Sequence, residues 1–254
     1  MINPKVISVL ILAIALAACT AIDPNKIRDH VSIVAPPGDG PFPVVIFYQG
    51  GSAGNFREKR WALWFRNRGI ASAIVDNAAI RGRKNLLGVT DSYVDDGVVA
   101  LRFLKQDRRI DTSRYVLMGF SLGGWQVMNA ADAFKDSGSP PSLVVALYPG
   151  SPRKEAQGKC YNTHGIKTRV HIFYGALDES GIRNGYMNAC RTTAEFETNV
   201  SYHEIPGAYH AYDFPYPTQY SAGGPTSRIV PNSDAVKETE RIIDAALAEI
   251  GWPR

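Results

Sequence analysis

Two kinds of hydrophobic pattern alternate along this chain. Short runs rich in apolar and β-branched residues predict buried strands. They lie at 44–48, 70–75, 115–118, 142–148, 170–174 and 200–205. Between several of these runs the apolar residues recur every three or four positions, which is typical of amphipathic helices. Alternating strands and helices favour a mostly parallel sheet covered on both faces, so the pattern predicts an α/β fold with a doubly wound sheet.

The clearest helical pattern extends over about residues 91–106. In a helix its apolar residues share one face: Val94, Val98, Leu101 and Leu104. Asp95 and Asp96, near its start, complement the helix dipole. Asn232 or Ser233 is expected to cap the last helix. No stretch is long enough for a large helical lid domain, so we expect an open cleft.

The N-terminus has the pattern of an export signal. A short charged start precedes an apolar run over residues 6–18, and this run is shorter than the ~20 residues of a transmembrane helix. The sequence Leu16-Ala17-Ala18-Cys19 resembles the bacterial lipobox. That resemblance implies a lipid on Cys19. An uncleaved anchor and an ordinary signal peptide with an incidental cysteine are the alternatives.

The chain therefore divides into three predicted parts. We expect a lipoprotein signal peptide over 1–18, a tether over 19–29 and an α/β domain over 30–254. The mature protein is expected to be exported and held on a bacterial membrane, facing the periplasm, by its N-terminal lipid anchor.

Composition and charge limit the classes of partner. A chain of 254 residues with 45% hydrophobic residues suits one domain of the larger kind, and a net charge of +4 is too small to indicate a nucleic-acid partner. With Cys19 assigned to lipid, Cys160 and Cys190 remain. An even pair in an oxidising compartment predicts a disulfide, although free buried thiols are the alternative. Their spacing is not that of a zinc finger, so we expect neither a metal nor a cofactor.

The pentapeptide Gly119-Phe120-Ser121-Leu122-Gly123 joins a strand-like run to a helical stretch over 122–134. A serine on such a sharp strand-to-helix turn is held clear of its own backbone, with its hydroxyl in a cleft. Glycines flank it because a side chain there would collide with the neighbouring strand or helix. The context indicates that Ser121 is a nucleophile, and an ordinary Gly-Ser-Gly turn is the alternative.

A nucleophilic serine needs a base and a group that orients the base. In this architecture both follow the serine along the chain, the acid first. Asp178 follows the strand-like run 169–174, and His210 follows the run 200–205. Because ligands of open α/β sheets bind outside the carboxyl ends of the strands, we expect these residues to converge with Ser121 at one edge.

Other residues compete for the same roles. Glu179 could replace Asp178 as the orienting acid. His171 and His203 lie inside strand-like runs, where a side chain points into a packed face or to solvent, and His164 lies in an irregular stretch that could line the cleft. His210 is favoured because it lies in a loop at the predicted sheet edge.

Several stretches together resemble a known family. They are 31–36, 40–48, 111–115 leading into the elbow, and 206–214 around His210. Their order and spacing resemble the dienelactone hydrolase family of α/β-hydrolases, whose relatives include acetyl xylan esterases and prolyl-oligopeptidase-type catalytic domains. The resemblance covers about residues 30–250. It implies an α/β-hydrolase fold and a hydrolase that cleaves carboxylic esters.

Two positions depart from the family's pattern. The namesake enzymes use cysteine where this chain has Ser121, which favours a general ester hydrolase over a lactone-specific one. The first oxyanion strand usually ends in His-Gly, and here it reads Gln49-Gly50-Gly51. Backbone donors are retained, so we assign the oxyanion hole to the N–H groups of Gly51 and of Leu122, directly after the nucleophile. A flexible loop is the alternative for the glycine-rich segment.

Two further clusters leave alternatives open. A basic loop could hold an anionic substrate group, be a solvated loop or contain an arginine that fixes the loop: Arg81, Arg83 and Lys84. Aromatic residues near His210 could form a wall of the substrate site or pack an irregular loop: Tyr209, Tyr212, Phe214, Tyr216 and Tyr220.

These features predict a lipid-anchored serine hydrolase that acts on a small-molecule ester through an acyl-enzyme. Ser121 attacks the carbonyl, His210 takes its proton and returns one to the leaving group, and Asp178 orients the imidazole. A prolyl-oligopeptidase-like serine peptidase is the enzymatic alternative. A non-catalytic binding lipoprotein is the alternative of another class.

Overall fold

A computed structural model of the protein describes residues 27–52, 55–90, 92–134, 140–160, 168–221 and 225–253. The predicted signal peptide, the lipidated residue Cys19 and positions 20–26 of the predicted tether lie outside the described residues. The described part begins at Ile27, which is buried, and a 3₁₀ turn over Arg28–His30 leads into the first strand. No helix in the described ranges has the length and apolar character needed to cross a membrane.

A seven-stranded sheet forms the centre of the molecule. Its strands are β1 (Val31–Val34), β2 (Phe42–Tyr48), β3 (Ala71–Val75), β4 (Ile110–Phe120), β5 (Leu143–Leu147), β6 (Arg169–Gly175) and β7 (Val200–Ile205). They lie in the order β1-β3-β2-β4-β5-β6-β7. β1 pairs antiparallel with β3, and the other neighbours pair parallel. The prediction of a mostly parallel sheet is confirmed, and each predicted run overlaps one of the strands β2 to β7.

Six helices connect or flank these strands in the described part of the chain. They are α1 (Phe56–Arg66), α2 (Asp95–Leu104), α3 (Leu122–Phe134), α4 (Glu179–Arg183), α5 (Tyr186–Phe196) and α6 (Ser233–Glu249). The described residues contain no large additional domain. A short antiparallel hairpin, β8 (Thr218–Tyr220) and β9 (Ser227–Ile229), follows β7 and was not predicted.

The end of β2 shows how the sheet is covered on both faces. Successive side chains of a strand point to opposite faces. The ring of Phe47 lies 6.0 Å from that of Phe65 in α1, whereas the hydroxyl of Tyr48 donates to the carbonyl of Val94 at 2.6 Å and accepts from the N–H of Gly97 in α2 at 3.1 Å. α1 and α2 therefore pack on opposite faces.

The structure bears on two helical predictions. Asn232 caps α6, because its side chain accepts from the N–H groups of Asp234 and Ala235. The helix predicted over about 91–106 is present as the shorter α2, and its four predicted apolar residues lie in the core or pack against it. Val94 and Val98 are only half-buried, while Asp96 is fully buried. Its carboxylate is accommodated because the side chains of Asn77 and Arg81 donate hydrogen bonds to it.

Cys160 and Cys190 form a disulfide, with their Cα atoms 4.7 Å apart. The predicted bridge is confirmed, and the alternative of two free thiols is wrong. It joins the segment that follows β5 to the buried side of α5.

Candidate active site

The sharp turn at Ser121 lies between β4 and α3. Ser121 has a positive φ of 52°, which is strained for a residue with a side chain. Its two glycine neighbours are required sterically. A Cβ on Gly119 would lie 2.1 Å from the carbonyl oxygen of Gly123, and a Cβ on Gly123 would lie 2.1 Å from that of Tyr48. The tight packing of β2, β4 and α3 thus fixes the direction of the serine side chain.

Ser121, His210 and Asp178 form one chain of hydrogen bonds. Oγ of Ser121 lies 3.0 Å from Nε2 of His210, and Nδ1 of His210 lies 2.8 Å from Oδ2 of Asp178. His210 is 3% exposed and Asp178 is fully buried. The structure brings the three side chains together as the sequence suggests, and their catalytic roles stay a prediction.

Asp178 is held rigidly at the N-terminus of α4. Its Oδ1 accepts from the N–H groups of Ser180 at 3.1 Å and Gly181 at 2.9 Å. Burial by itself raises the pKa of this carboxyl, but His210 and the N–H of Gly181 lower the pKa more, so its net pKa lies below the ordinary value. Asp178 is therefore ionised at neutral pH and directs its second oxygen at the imidazole.

The loops that carry the acid and the histidine are joined by their backbones. The N–H of Leu177 donates to the carbonyl of Ala208 at 2.8 Å, and the N–H of Ala176 donates to that of Ile205 at 2.9 Å. Gly175 permits this approach, because a Cβ there would lie 2.3 Å from the oxygen of Ala208. The separation between Asp178 and His210 is thus set by contacts between the ends of β6 and β7.

The competing residues have other partners. Nε2 of His203 lies 3.0 Å from Nδ1 of His171 inside the sheet, and Glu179 forms an ion pair with Arg228 at the surface. Burial is the main cause that lowers the pKa of each of these two histidines to about 4. His164 lies outside the described residues. The structure therefore brings His210 and Asp178, and not His171, His203 or Glu179, to the serine.

The predicted oxyanion donors border the same cleft. Leu122 begins α3, where backbone N–H groups of the first turn have no partner within the helix. Gly51 and Leu122 line the cleft together with Ser121. Their roles as donors stay a prediction.

A buried polar network holds the end of the oxyanion strand. The N–H of Gln49 donates to Oδ1 of Asn77 at 2.9 Å, and the hydroxyl of Tyr93 donates to the carbonyl of Gln49 at 3.1 Å. Nδ2 of Asn77 in turn donates to Asp96 at 2.7 Å, and Nη2 of Arg81 donates to its other oxygen at 3.0 Å. Asp96 is thus neutralised by an arginine of the basic loop.

For Arg81 this pairing supports the interpretation as an arginine that fixes the loop. Arg81 fixes the loop to α2, while Arg83 and Lys84 are exposed. In the described ranges no group of three or more histidine, cysteine or acidic residues is arranged to bind a metal ion.

The cleft above Ser121 has a volume of about 490 Å³ and is lined by two kinds of side chain. One kind is apolar: Leu86, Leu87, Leu122, Phe214, Tyr220 and Ile229. The other is polar: Ser151, Lys154, Gln157, Ser180, Arg183 and Asn184. A molecule with an apolar part and a polar part could lie across the serine.

The aromatic cluster around His210 divides between the cleft and the packing of its loop. Tyr220 stacks on the imidazole with ring centroids 4.7 Å apart, and Phe214 lines the cleft. Tyr212 is buried and its hydroxyl lies 2.7 Å from that of Thr239 in α6. Tyr216 is 51% exposed and packs on Phe214. Tyr212 therefore packs the loop, whereas Phe214 and Tyr220 line the cleft, and their contact with a substrate stays a prediction.

Two residues near the triad were not predicted from the sequence: Tyr148, which contacts the imidazole, and Arg57, which lines the cleft. Tyr148 meets His210 edge-on with ring centroids 4.9 Å apart, and it has a positive φ of 38°. Arg57 lines the cleft although it is 4% exposed. The position of Tyr148 at the carboxyl end of a predicted strand was an available signal. For Arg57 the sequence contains none, because an arginine near the start of a helix is usually exposed.

Comparisons with known proteins point to one family. A model of the dienelactone hydrolase family matches residues 63–238. A search of curated protein sequences finds no match. Among solved structures, the thermophilic esterase Est2 of the planctomycete Thermogutta terrifontis, with butyrate bound, has a TM-score of 0.60 at 16% identity, over 88% of this chain and 90% of that chain.

Two other solved structures are similar to the same extent. Est1E from Butyrivibrio proteoclasticus, with ferulic acid bound, has a TM-score of 0.61 at 13% identity, over 86% of this chain and 95% of that chain. A dienelactone hydrolase-like promiscuous phosphotriesterase from metagenomic libraries has a TM-score of 0.61 at 17% identity, over 87% and 99%. Similarity at such low identity shows that the fold is shared.

Proposed function

Since the chain belongs to the dienelactone hydrolase family and is a carboxylic ester hydrolase, we propose that it acts through Ser121 as nucleophile, His210 as base and Asp178 as orienting acid. The observation that carries this proposal is the hydrogen-bonded chain from Ser121 through His210 to Asp178 at the base of an open cleft. A buried, ionised Asp178 that accepts from Nδ1 leaves Nε2 free to accept the serine proton.

The reaction then follows from this geometry. As Oγ of Ser121 attacks the ester carbonyl, its proton passes to Nε2 of His210, and the carbonyl oxygen becomes an oxyanion. The N–H groups of Leu122 and Gly51 stabilise that charge. Collapse of the intermediate releases the alcohol, which takes the proton from the imidazolium and leaves an acyl-enzyme. Water, activated by the same imidazole, then releases the acid.

We further propose that the substrate is a small-molecule ester with an apolar and a polar part. Apolar lining residues such as Leu86 and Leu87 suit an acyl or aryl group, and polar lining residues such as Gln157 and Arg183 suit a hydrophilic group. Relatives of similar fold are described with butyrate or ferulic acid bound, which is consistent with a cleft of this kind.

A fluorophosphonate probe tests the reaction. Such a probe phosphonylates serines that are activated as nucleophiles, so we expect the purified protein to be labelled at Ser121 by peptide mass spectrometry. Ser121→Ala and His210→Ala should not be labelled. Ser113→Ala, an exposed serine earlier on β4, is the matched control and should be labelled like the parent.

Panels of substrates then separate the alternatives. Turnover of p-nitrophenyl esters without cleavage of peptide amides supports the esterase. Faster turnover of peptide amides would favour the serine peptidase. A folded protein that neither reacts with the probe nor hydrolyses any ester would favour the non-catalytic binding lipoprotein.

We also propose that the protein works outside the cytoplasm, held by a lipid on Cys19. The sequence Leu16-Ala17-Ala18-Cys19 supports the anchor. The disulfide between Cys160 and Cys190 supports export, because structural disulfides persist in oxidising compartments.

A further inference from the structure

An arginine and a glutamate are buried side by side at the start of α1. Side chains of Arg57 and Glu58 are 4% and 1% exposed, and Nη2 of Arg57 donates to Oε1 of Glu58 at 2.9 Å. Such a buried ion pair is a weak source of stability, since apolar residues of similar volume often serve as well. Arg57 also lines the cleft that contains Ser121, so the pair borders the proposed site.

The guanidinium of Arg57 contacts the elements on both sides of the serine. Its central carbon lies 4.4 Å from the ring centroid of Phe120, the residue before Ser121. On the other side it lies against Gly50, because a Cβ there would be 2.7 Å from Nη2 and 3.1 Å from the carbonyl oxygen of Phe120. Arg57 therefore packs between the oxyanion strand and the strand that carries the nucleophile.

The same guanidinium reaches the histidine through Tyr148. Nη1 of Arg57 donates to the hydroxyl of Tyr148 at 3.4 Å, and that hydroxyl donates to Oδ1 of Asp213 at 2.5 Å. Nε1 of Trp61 donates to the other oxygen of Asp213 at 2.8 Å. Burial raises the pKa of Tyr148 well above its ordinary value, so the phenol keeps its proton and the direction of these bonds is fixed.

Four buried side-chain atoms have no hydrogen-bond partner among the residues that the structure describes. They are Oε1 of Gln49, Nε of Arg57, Oε2 of Glu58 and, in β3, Oγ of Ser72. Buried polar atoms are almost always satisfied in structures shaped for stability alone, and exceptions are found at functional sites. Two of the four atoms belong to the Arg57–Glu58 pair, so this pair is not fully satisfied by the protein's own groups.

We propose that Arg57 is a positioning residue for ester hydrolysis, a claim that rests on the proposed function of Ser121 and His210. Its guanidinium holds Gly50, Phe120 and Tyr148 in one arrangement. Gly50 precedes the oxyanion donor Gly51, Phe120 precedes the nucleophile, and Tyr148 packs against the imidazole. One buried side chain thereby couples the oxyanion hole, the nucleophile and the base.

The double variant Arg57→Met/Glu58→Leu tests this role, because it removes both charges and keeps the volume apolar. Since a displacement of about 1 Å in catalytic geometry can cost 10²-fold in rate, we expect kcat for p-nitrophenyl acetate to fall about 100-fold, with KM within about threefold and thermal melting close to the parent. In Arg57→Ala, millimolar guanidinium should restore kcat at least about tenfold.

Arg60→Met is the matched control. Arg60 lies one turn along α1, is 39% exposed and pairs with Glu240 at the surface, so its loss should leave kcat unchanged. A folded double variant with kcat within threefold of the parent overturns the inference. The inference is also overturned if guanidinium does not restore kcat in Arg57→Ala and if the loss of kcat equals the fraction of protein that is unfolded.

Two further readouts make the result decisive. Should the double variant not fold, Arg57→Lys decides: an ammonium cannot bind Glu58 and Tyr148 in the same fork geometry, so kcat should fall at least tenfold, and a parent-like kcat overturns the inference. Fluorophosphonate labelling of the parent at Ser121 separates the two proposals. Absence of labelling in the parent counts against the proposed function itself, whereas a labelled parent with fully active variants counts against Arg57 alone.

Discussion

The residues with a strained backbone conformation lie around the imidazole of His210. Among the described residues, the non-glycine positions with positive φ are Ser121 at 52°, Tyr148 at 38° and Ala211 at 50°. The first bonds to His210, the second packs on it and the third follows it in the chain. Such conformations persist only where the surroundings enforce them, and they concentrate at functional sites.

At this scale the central prediction concerns the triad. Ser121→Ala and His210→Ala should each lower kcat for p-nitrophenyl acetate by at least about 10⁴-fold, because either change stops nucleophilic attack. The double variant should be scarcely slower than either single variant, since the two residues act as a unit. Asp178→Asn should be severe but less complete, because the imidazole remains and loses its orientation and charge support.

Thermal melting of each variant shows whether lost activity reflects chemistry or unfolding. If the losses of kcat in the two single variants added up in the double variant, Ser121 and His210 would not act in the same step. A Ser121→Ala protein that melts normally and turns over esters like the parent would exclude the proposed nucleophile.

The element scale explains why three distant segments meet. β4, β6 and β7 are parallel, so their carboxyl ends lie on one edge, and the turns after them carry Ser121, Asp178 and His210. The same pairing of β6 with β7 puts His171 beside His203, away from the site. His210, in the loop after β7, is thus separated from His171 and His203, which pair with each other on the strands.

The histidine pair predicts acid sensitivity of the fold. Burial lowers the pKa of His171 and His203 to about 4, whereas unfolded histidine has a pKa of about 6.5. The unfolded chain therefore binds more protons between these values. The stability that the neutral pair contributes is fully present above about pH 6.5 and is lost as pH falls towards 4.

We expect His171→Gln/His203→Gln to reduce the loss of unfolding free energy between pH 7 and pH 4.5, relative to the parent, by roughly 2 kcal/mol for each histidine replaced. Urea melts at both pH values measure it. His30→Gln is the matched control, since His30 lies in the turn before β1 and is not part of the histidine pair. An equal loss in parent and double variant would show that the pair is not responsible.

At the scale of the whole molecule, the disulfide joins the segment after β5 to α5 beside the cleft. Gln157 and Asn184 line the cleft on either side of this junction, and the N–H of Gly158 donates to the carbonyl of Asn184 at 2.9 Å. The bridge therefore holds one wall of the proposed substrate site to the body of the domain.

Removing this bridge should lower global stability. The cysteines are 30 residues apart, and closing a loop of that length restricts the unfolded chain by about 3–4 kcal/mol. Cys160→Ser/Cys190→Ser should lose about that much unfolding free energy in denaturant melts, and the parent under reducing conditions should match the variant. A difference below about 1 kcal/mol would mean that the bridge contributes little.

Attachment to a membrane is the other prediction at this scale. If Leu16-Ala17-Ala18-Cys19 directs lipidation, Cys19→Ser should abolish incorporation of a labelled fatty acid and leave an unprocessed or mislocalised precursor. Cys160→Ser serves as the control, because it should keep the lipid. Normal membrane fractionation of the Cys19→Ser protein would contradict the anchor.

The sequence by itself determined much of the fold and the principal site candidates. Apolar periodicity predicted the strands β2 to β7 because burial on both faces of a parallel sheet requires continuous apolar runs. The glycines beside Ser121 were visible for a local reason: a sharp turn between strand and helix excludes side chains there. Asp178 and His210 followed from their places at strand ends.

Tertiary structure decided the environment of those residues. Arg57 looks like a surface residue in the sequence, yet it is buried between Gly50, Phe120 and Tyr148, and Asp96 is buried with Arg81 rather than exposed at a helix start. The partners that make such burial possible lie far along the chain, up to 91 positions away for Arg57 and Tyr148. Local patterns report only on neighbours within a few residues. Whether a charge is exposed or satisfied inside the protein depends on distant groups that only the folded chain brings together.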